Sequence, residues 1–172
     1  MTDGVLRAGP VPAYTTLARQ LRALLDTRDW LTNCAQTCAF IFDTVPNLNW
    51  VGFYLHRQPE MLVLGPFQGR PACNPIAFGQ GVCGTAAATR ETQRIDDVAA
   101  LANHIVCDPL SRSELVVPIC SADRLWGVLD IDSPLPARFA AADQTGIEQL
   151  VAVFREASRL QSFSAPADAA TA

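Results

Sequence analysis

The sequence predicts an α+β domain: a central antiparallel sheet, helices mainly on one face, and a loop-enclosed pocket on the other. The order of its periodicities carries this reading. Two helical patterns come first, then a strand pair, a glycine- and proline-rich insert, a second strand pair and a closing helix. A doubly wound sheet would alternate strand and helix regularly. Size agrees, because 172 residues, 49% hydrophobic and 17% charged, fit one domain that needs neither metal nor disulfide to hold a core.

Residues 1–13 read as an irregular lead, 14–161 as the domain and 162–172 as a flexible tail. The first helix is predicted from Tyr14 to about Thr27, with Leu17, Leu21, Leu24 and Leu25 at helical spacing. Asp29 is placed to cap a second helix running to about Thr44. Its apolar face carries Trp30, Leu31, Cys34, Cys38, Phe40, Ile41 and Phe42, so Cys34 and Cys38 read as packed thiols rather than a metal or redox pair. NWVGFYL, residues 49–55, is rich in aromatic and β-branched residues and reads as a strand. Residues 61–64 are its hairpin partner across HRQPE. Residues 65–84, with their glycines and prolines, read as irregular, followed by a short helix from about Gly81 and a short strand at Arg94 and Ile95. Residues 96–113 form a long polar loop. A hairpin pairs residues 115–120 with 125–132, and Gly127 within it marks a bulge or a close backbone approach. The last helix spans about 141–160.

Composition removes several function classes. The net charge is -4, and the 13 basic residues, all arginine, are scattered rather than striped, which argues against nucleic acid as a partner. No apolar run is long enough for a transmembrane helix, and the opening MTDGVLRAGPVPAY lacks the apolar stretch of a secretion signal. The expected compartment is the cytoplasm. There, the 6 cysteines read as core, metal or redox groups rather than a disulfide framework. No CxxC pair and only 2 histidines give little support to a zinc cluster, and no metal or other cofactor is expected.

Cys107 stands in NHIVCDPLSRSE, a polar setting in which an inert buried thiol would be out of place. A nucleophilic cysteine acts as thiolate, and His104 or Arg112 could favour that form, whereas Asp108 would oppose it if it faced the sulfur. Cys73 lies in a proline-flanked loop, and Cys83 lies in GVCG, where a helix beginning there would lower its pKa. The three thiols read either as a converging redox set or as unrelated cysteines; a three-cysteine metal site with His104 is the weaker alternative. In VLDIDSP, Asp130 and Asp132 alternate along a strand and therefore share a face, with Glu114 at the start of the paired strand. Three carboxylates on one face repel, and a ligand ammonium or a shared proton would relieve that repulsion. A solvated strand end is the plainer reading. Trp50 and Tyr54 share a strand face and read as pocket wall or ordinary core, and Trp126 as core.

NWVGFYL, LGPFQGRPACNPIAFGQGVCG, the DDV-to-HIVCD passage, SRSELVVPI and GVLDIDSP, standing in this order, resemble the GAF-domain free methionine-(R)-sulfoxide reductase family. The resemblance covers about 49–132, and the flanking helices fit it too. It implies that Cys107 is the catalytic cysteine, Cys73 the principal resolving cysteine and Cys83 a further redox cysteine. Glu114, Asp130 and Asp132 match substrate-binding carboxylates, and Trp50 and Tyr54 resemble the aromatic pocket lining. The implied reaction reduces free methionine-(R)-sulfoxide through a sulfenic acid on Cys107, an intramolecular disulfide with Cys73 or Cys83, and recycling by thioredoxin. A homodimer is compatible with the sequence. The alternatives are a noncatalytic GAF sensor of a small ligand and a cysteine-based redox or metal sensor. A Cys107–His104–Asp108 hydrolase triad lacks an oxyanion-hole motif.

Overall fold

A computed structural model of the chain describes residues 11–101, 108–121 and 124–160. The element order is α1 (Tyr14–Leu24), α2 (Trp30–Thr44), β1 (Trp50–Gln58), β2 (Met61–Gly69), β3 (Ile76–Ala77), α3 (Gly81–Thr89), β4 (Gln93–Ile95), a 3-10 turn (Val98–Ala100), β5 (Ser113–Ser121), β6 (Arg124–Ser133) and α4 (Ala141–Ala157). The six strands form one antiparallel sheet in the order β3-β2-β1-β6-β5-β4. This is the α+β architecture the periodicities predict.

Each central strand buries both faces, so alternate residues feed two separate cores. Val51, Phe53 and Leu55 of β1, Leu115, Val117 and Ile119 of β5, and Leu129 and Ile131 of β6 pack beneath α1, α2 and α4. Trp126 joins this side, edge-on to Trp30 at 5.6 Å between ring centroids, and is a core residue. Cys34 and Cys38 are also fully buried there, as packed thiols. On the opposite face, Trp50, Tyr54, Val116 and Val128 meet Val82, Cys83, Ala86 and Ala87 of α3. Helix α3, the segment between β2 and α3, and residues 108 and 111 line a pocket on that face.

Local chemistry sets the boundaries. Asp29 caps α2, its side chain accepting from the Thr32 N–H at 2.8 Å. Helix α1 stops at Leu24, short of the expected Thr27, because residues 25–28 serve the next junction. Thr27 accepts from Asn33 Nδ2 through its carbonyl and from the Asp29 N–H through its hydroxyl, at 3.0 and 3.1 Å. Asn33 Nδ2 also reaches Ser158 Oγ at 3.0 Å, where α4 ends just after Ala157.

The main departure from expectation is β2, which runs through Gly65 and Pro66 to Gly69 instead of stopping at Leu64. Glycine and proline ordinarily break a strand. Here β3 pairs only with Met61 and Leu62, so the outer edge beyond has no strand ladder for Pro66 to interrupt. A register shift between Gly52 and Tyr54 absorbs the irregularity. Gly127 fulfils the expectation of close approach: a Cβ there would run into the Tyr54 carbonyl oxygen.

Candidate functional site

Sheet register builds the floor of the pocket. Asp132 sits between Trp50 on β1 and Glu114 on β5, forming one row across three strands. Asp130 lies in the next row, between Gly52 and Val116, on the same face. The alternation seen in VLDIDSP thus points both aspartates into one cavity rather than into solvent. Glu114 and Asp130 are only 7% and 6% exposed, which rules out the solvated strand end.

The wall is aromatic. Trp50 stacks on Tyr54 at 5.8 Å and on Phe67 at 5.5 Å between centroids. Gly52 makes this arrangement fit, since a Cβ there would collide with the Trp50 ring. The indole Nε1 of Trp50 donates to the Arg70 carbonyl, and the Tyr54 hydroxyl to the Cys73 carbonyl, both at 3.0 Å. Backbone carbonyls occupy these polar tips, so the wall turns mainly apolar ring surface towards the pocket. The whole cleft encloses roughly 530 Å³ of empty space including its open mouth, and Trp50, Tyr54, Cys83, Glu114, Asp130 and Asp132 all line it.

Charge is the unusual property of this cavity. Burial, then the neighbouring Asp130 and Asp132, push the Glu114 carboxyl well above the ordinary range. Burial also raises Asp130, although hydrogen bonds from Cys83 and Glu114 oppose the rise. Asp132 goes up for the same first reason, with Asp130 and Asp108 adding repulsion. Burial thus favours the protonated form at all three positions. One oxygen of Asp130, Oδ1, is buried without a hydrogen-bond partner among the described residues. A buried acceptor left unmatched costs about 1–3 kcal/mol, and a bound donor would recover it.

Cys83 belongs to the same cluster, its thiol 4.0 Å from Glu114 Oε1. Its position in the first turn of α3 predicts a lowered pKa, and the structure reverses that direction. Complete burial, followed by the charges of Asp130 and Glu114, pushes the thiol well above its usual value. Cys83 is a free thiol, as are Cys34, Cys38 and Cys120. Cys73 is half-buried and disulfide-bonded. Cys107 and His104 lie outside the described residues. Cys83 Sγ and one oxygen each of Glu114 and Asp130 fall within 4.8 Å of one another, a grouping that could hold a metal ion. It differs from the three-thiol set considered from sequence, offering one thiol and two carboxylates.

Several pocket residues escape a reading of sequence alone. Asp108 and Ser111 reach the pocket from the long loop, tied to Asn49 Nδ2 at 3.1 and 3.0 Å. Pro71, Ala72 and Ile76 enter from the insert. Gln80, Gly81 and Val82 bring in the start of α3, where Gln80 provides no side-chain cap. First-turn N–H groups of a helix lack intrahelical partners and favour anionic acceptors.

A GAF domain family model matches residues 11–157. The free methionine-R-sulfoxide reductase of Escherichia coli is 45% identical over 140 residues, covering 81% of this chain and 84% of that protein. The structure of free methionine-R-sulfoxide reductase from Neisseria meningitidis in complex with its substrate superposes with a TM-score of 0.80 at 41% identity, covering 84% of this chain and 87% of that one. The reduced form of fRMsr from Staphylococcus aureus gives 0.81 at 42% identity, covering 85% and 95%.

Proposed function

The chain belongs to the GAF-domain free methionine-R-sulfoxide reductase family, and from that premise we propose that it reduces free methionine-(R)-sulfoxide to methionine with thiol electrons. One observation carries the reading beyond the family name. Three carboxylates gather by sheet register on the floor of a half-closed pocket, under a Trp50–Tyr54 wall and beside the segment holding a disulfide-bonded cysteine.

A free amino acid brings an ammonium group, which a peptide-linked methionine lacks. The acidic cluster supplies acceptors for it, including Asp130 Oδ1. The substrate carboxylate has a matching site at the uncapped start of α3. The Trp50–Tyr54 wall packs against the apolar part of the substrate side chain.

Cys107 attacks the sulfoxide sulfur as thiolate. The sulfoxide oxygen, protonated from the carboxyl cluster, passes to Cys107 as a sulfenic acid, and methionine leaves with its sulfur reduced. Burial raises the Glu114 and Asp132 carboxyls and so favours their protonated forms, which suits either of them to this donation. The Cys73 thiol then attacks the sulfenic sulfur, forming a disulfide and releasing water. Cys73 fits this step better than Cys83, because Cys73 is disulfide-bonded whereas Cys83 is a free thiol pushed towards its neutral form. An external dithiol, thioredoxin in this reading, takes up the disulfide and restores both thiols.

The test is a single turnover. Reduced protein, freed of reductant, is mixed with an excess of free methionine-(R)-sulfoxide. One methionine released per chain, with two thiols lost, is the expected result, and Cys107→Ser should release none. Release unaffected by Cys107→Ser would contradict the assignment.

A further inference from the structure

We infer that Tyr54 and Asn74 are positioning residues for Cys73: they fasten the 70–75 segment to the sheet and so set how readily the Cys73 disulfide opens and closes. The inference rests on the redox role proposed above for Cys73.

The segment leaves β2 after Gly69 and rejoins the sheet at β3, and three hydrogen bonds hold it along the way. Trp50 Nε1 donates to the Arg70 carbonyl at 3.0 Å and the Tyr54 hydroxyl to the Cys73 carbonyl at 3.0 Å. The Leu64 N–H donates to Asn74 Oδ1 at 2.9 Å. Two of these bonds act on Cys73 itself and on the next residue. Tyr54 is 1% exposed, so losing its acceptor would leave its hydroxyl facing little water. Leu64 lies on the outer edge of β2, beyond the two residues that pair with β3, and the Asn74 side chain stands in for the missing strand. Pro71 and Ala72 of the same segment line the pocket, so one piece of chain shapes the cavity and carries the cysteine.

A disulfide that closes on a loose loop must first remove the loop's conformational freedom. Fastening the loop beforehand removes that cost and makes the disulfide harder to reduce. Opening it consumes two electrons and two protons: a dithiol attacks the disulfide, two protein thiols form, and the dithiol leaves as its own cyclic disulfide. Without the Tyr54 or Asn74 bond, the reduced segment gains freedom and this equilibrium moves towards the thiols.

The experiment equilibrates the protein with mixtures of reduced and oxidised dithiothreitol, then counts free thiols by alkylation. Tyr54→Phe and Asn74→Leu should each raise the equilibrium constant for reduction roughly threefold to tenfold, from the worth of one hydrogen bond. A tenfold rise corresponds to about 30 mV for a two-electron couple. Asn74→Asp keeps an acceptor oxygen and should restore the wild-type value. Wild-type equilibrium constants in both disruptive variants would overturn the inference, as would Asn74→Asp shifting as far as Asn74→Leu. The thiol equilibrium needs no substrate. Shifted constants in a protein that releases no methionine would therefore overturn the proposed reaction and leave this inference standing.

Discussion

Glu114 faces Asp132 across the β5–β6 ladder, with Asp130 one row away, and all three carboxyls are raised by burial. A carboxyl with a raised folded-state pKa adds no penalty below the ordinary carboxylate range. The penalty opens as pH climbs above that range and grows until the folded-state pKa is reached, because the unfolded chain releases its protons first. The ligand-free protein should accordingly lose stability between about pH 4 and neutrality, and Asp130→Asn should flatten that slope in urea titrations. Glu114→Gln should likewise stabilise the empty protein while lowering kcat/KM about tenfold to a hundredfold, the worth of one charge-assisted bond. Lower activity accompanied by lower stability would mark Glu114 as a structural residue. The two aspartates and the glutamate were legible because strand alternation has a period of two. The direction of the Cys83 shift was not, since local sequence shows the helix start but not the carboxylates that tertiary packing brings beside it.

At the scale of elements, β1 carries much of the design. Its odd-numbered residues, Val51, Phe53 and Leu55, feed the core under the helices, while Trp50 and Tyr54 wall the pocket. Gly52 and Gly127 permit the close approaches this requires. Gly127→Ala should cost about 1–3 kcal/mol in chemical denaturation, because the clash is with Tyr54 backbone and cannot be relieved by a side-chain rotation. Gly52→Ala should instead raise KM for the sulfoxide by displacing the Trp50 ring, a displacement that a change in indole fluorescence should accompany. An unchanged KM would remove Trp50 from the substrate wall. Most elements were readable from periodicity, hairpin signals and the Asp29 cap. The far half of β2 was hidden because its Gly65 and Pro66 are tolerated only beside an edge with no strand ladder, a fact of sheet order rather than of local sequence. Asp108 and Ser111 were equally hidden as pocket residues, because a long loop has no periodicity to say which side chains turn inward.

For the molecule as a whole, three helices bury one face of the sheet, and on the other α3, the segment before it, and Asp108 and Ser111 line a pocket. No helix among the described residues is long and apolar enough to cross a membrane. An acidic pocket that pays a desolvation penalty when empty should be relieved by its ligand. Free methionine should raise the melting temperature of the reduced protein, and N-acetylmethionine, which lacks the ammonium, should not. Equal shifts from both would show that the carboxylates do not read the amino group. The central claim is that this pocket recognises a free amino acid and reduces its sulfoxide. It is tested most directly by methionine release in excess dithiothreitol, comparing the R and S forms of free methionine sulfoxide with the N-acetylated R form. Turnover of the free R form alone is the predicted result. Release from none of the three by folded, reduced protein, or equal release from all three, would contradict it.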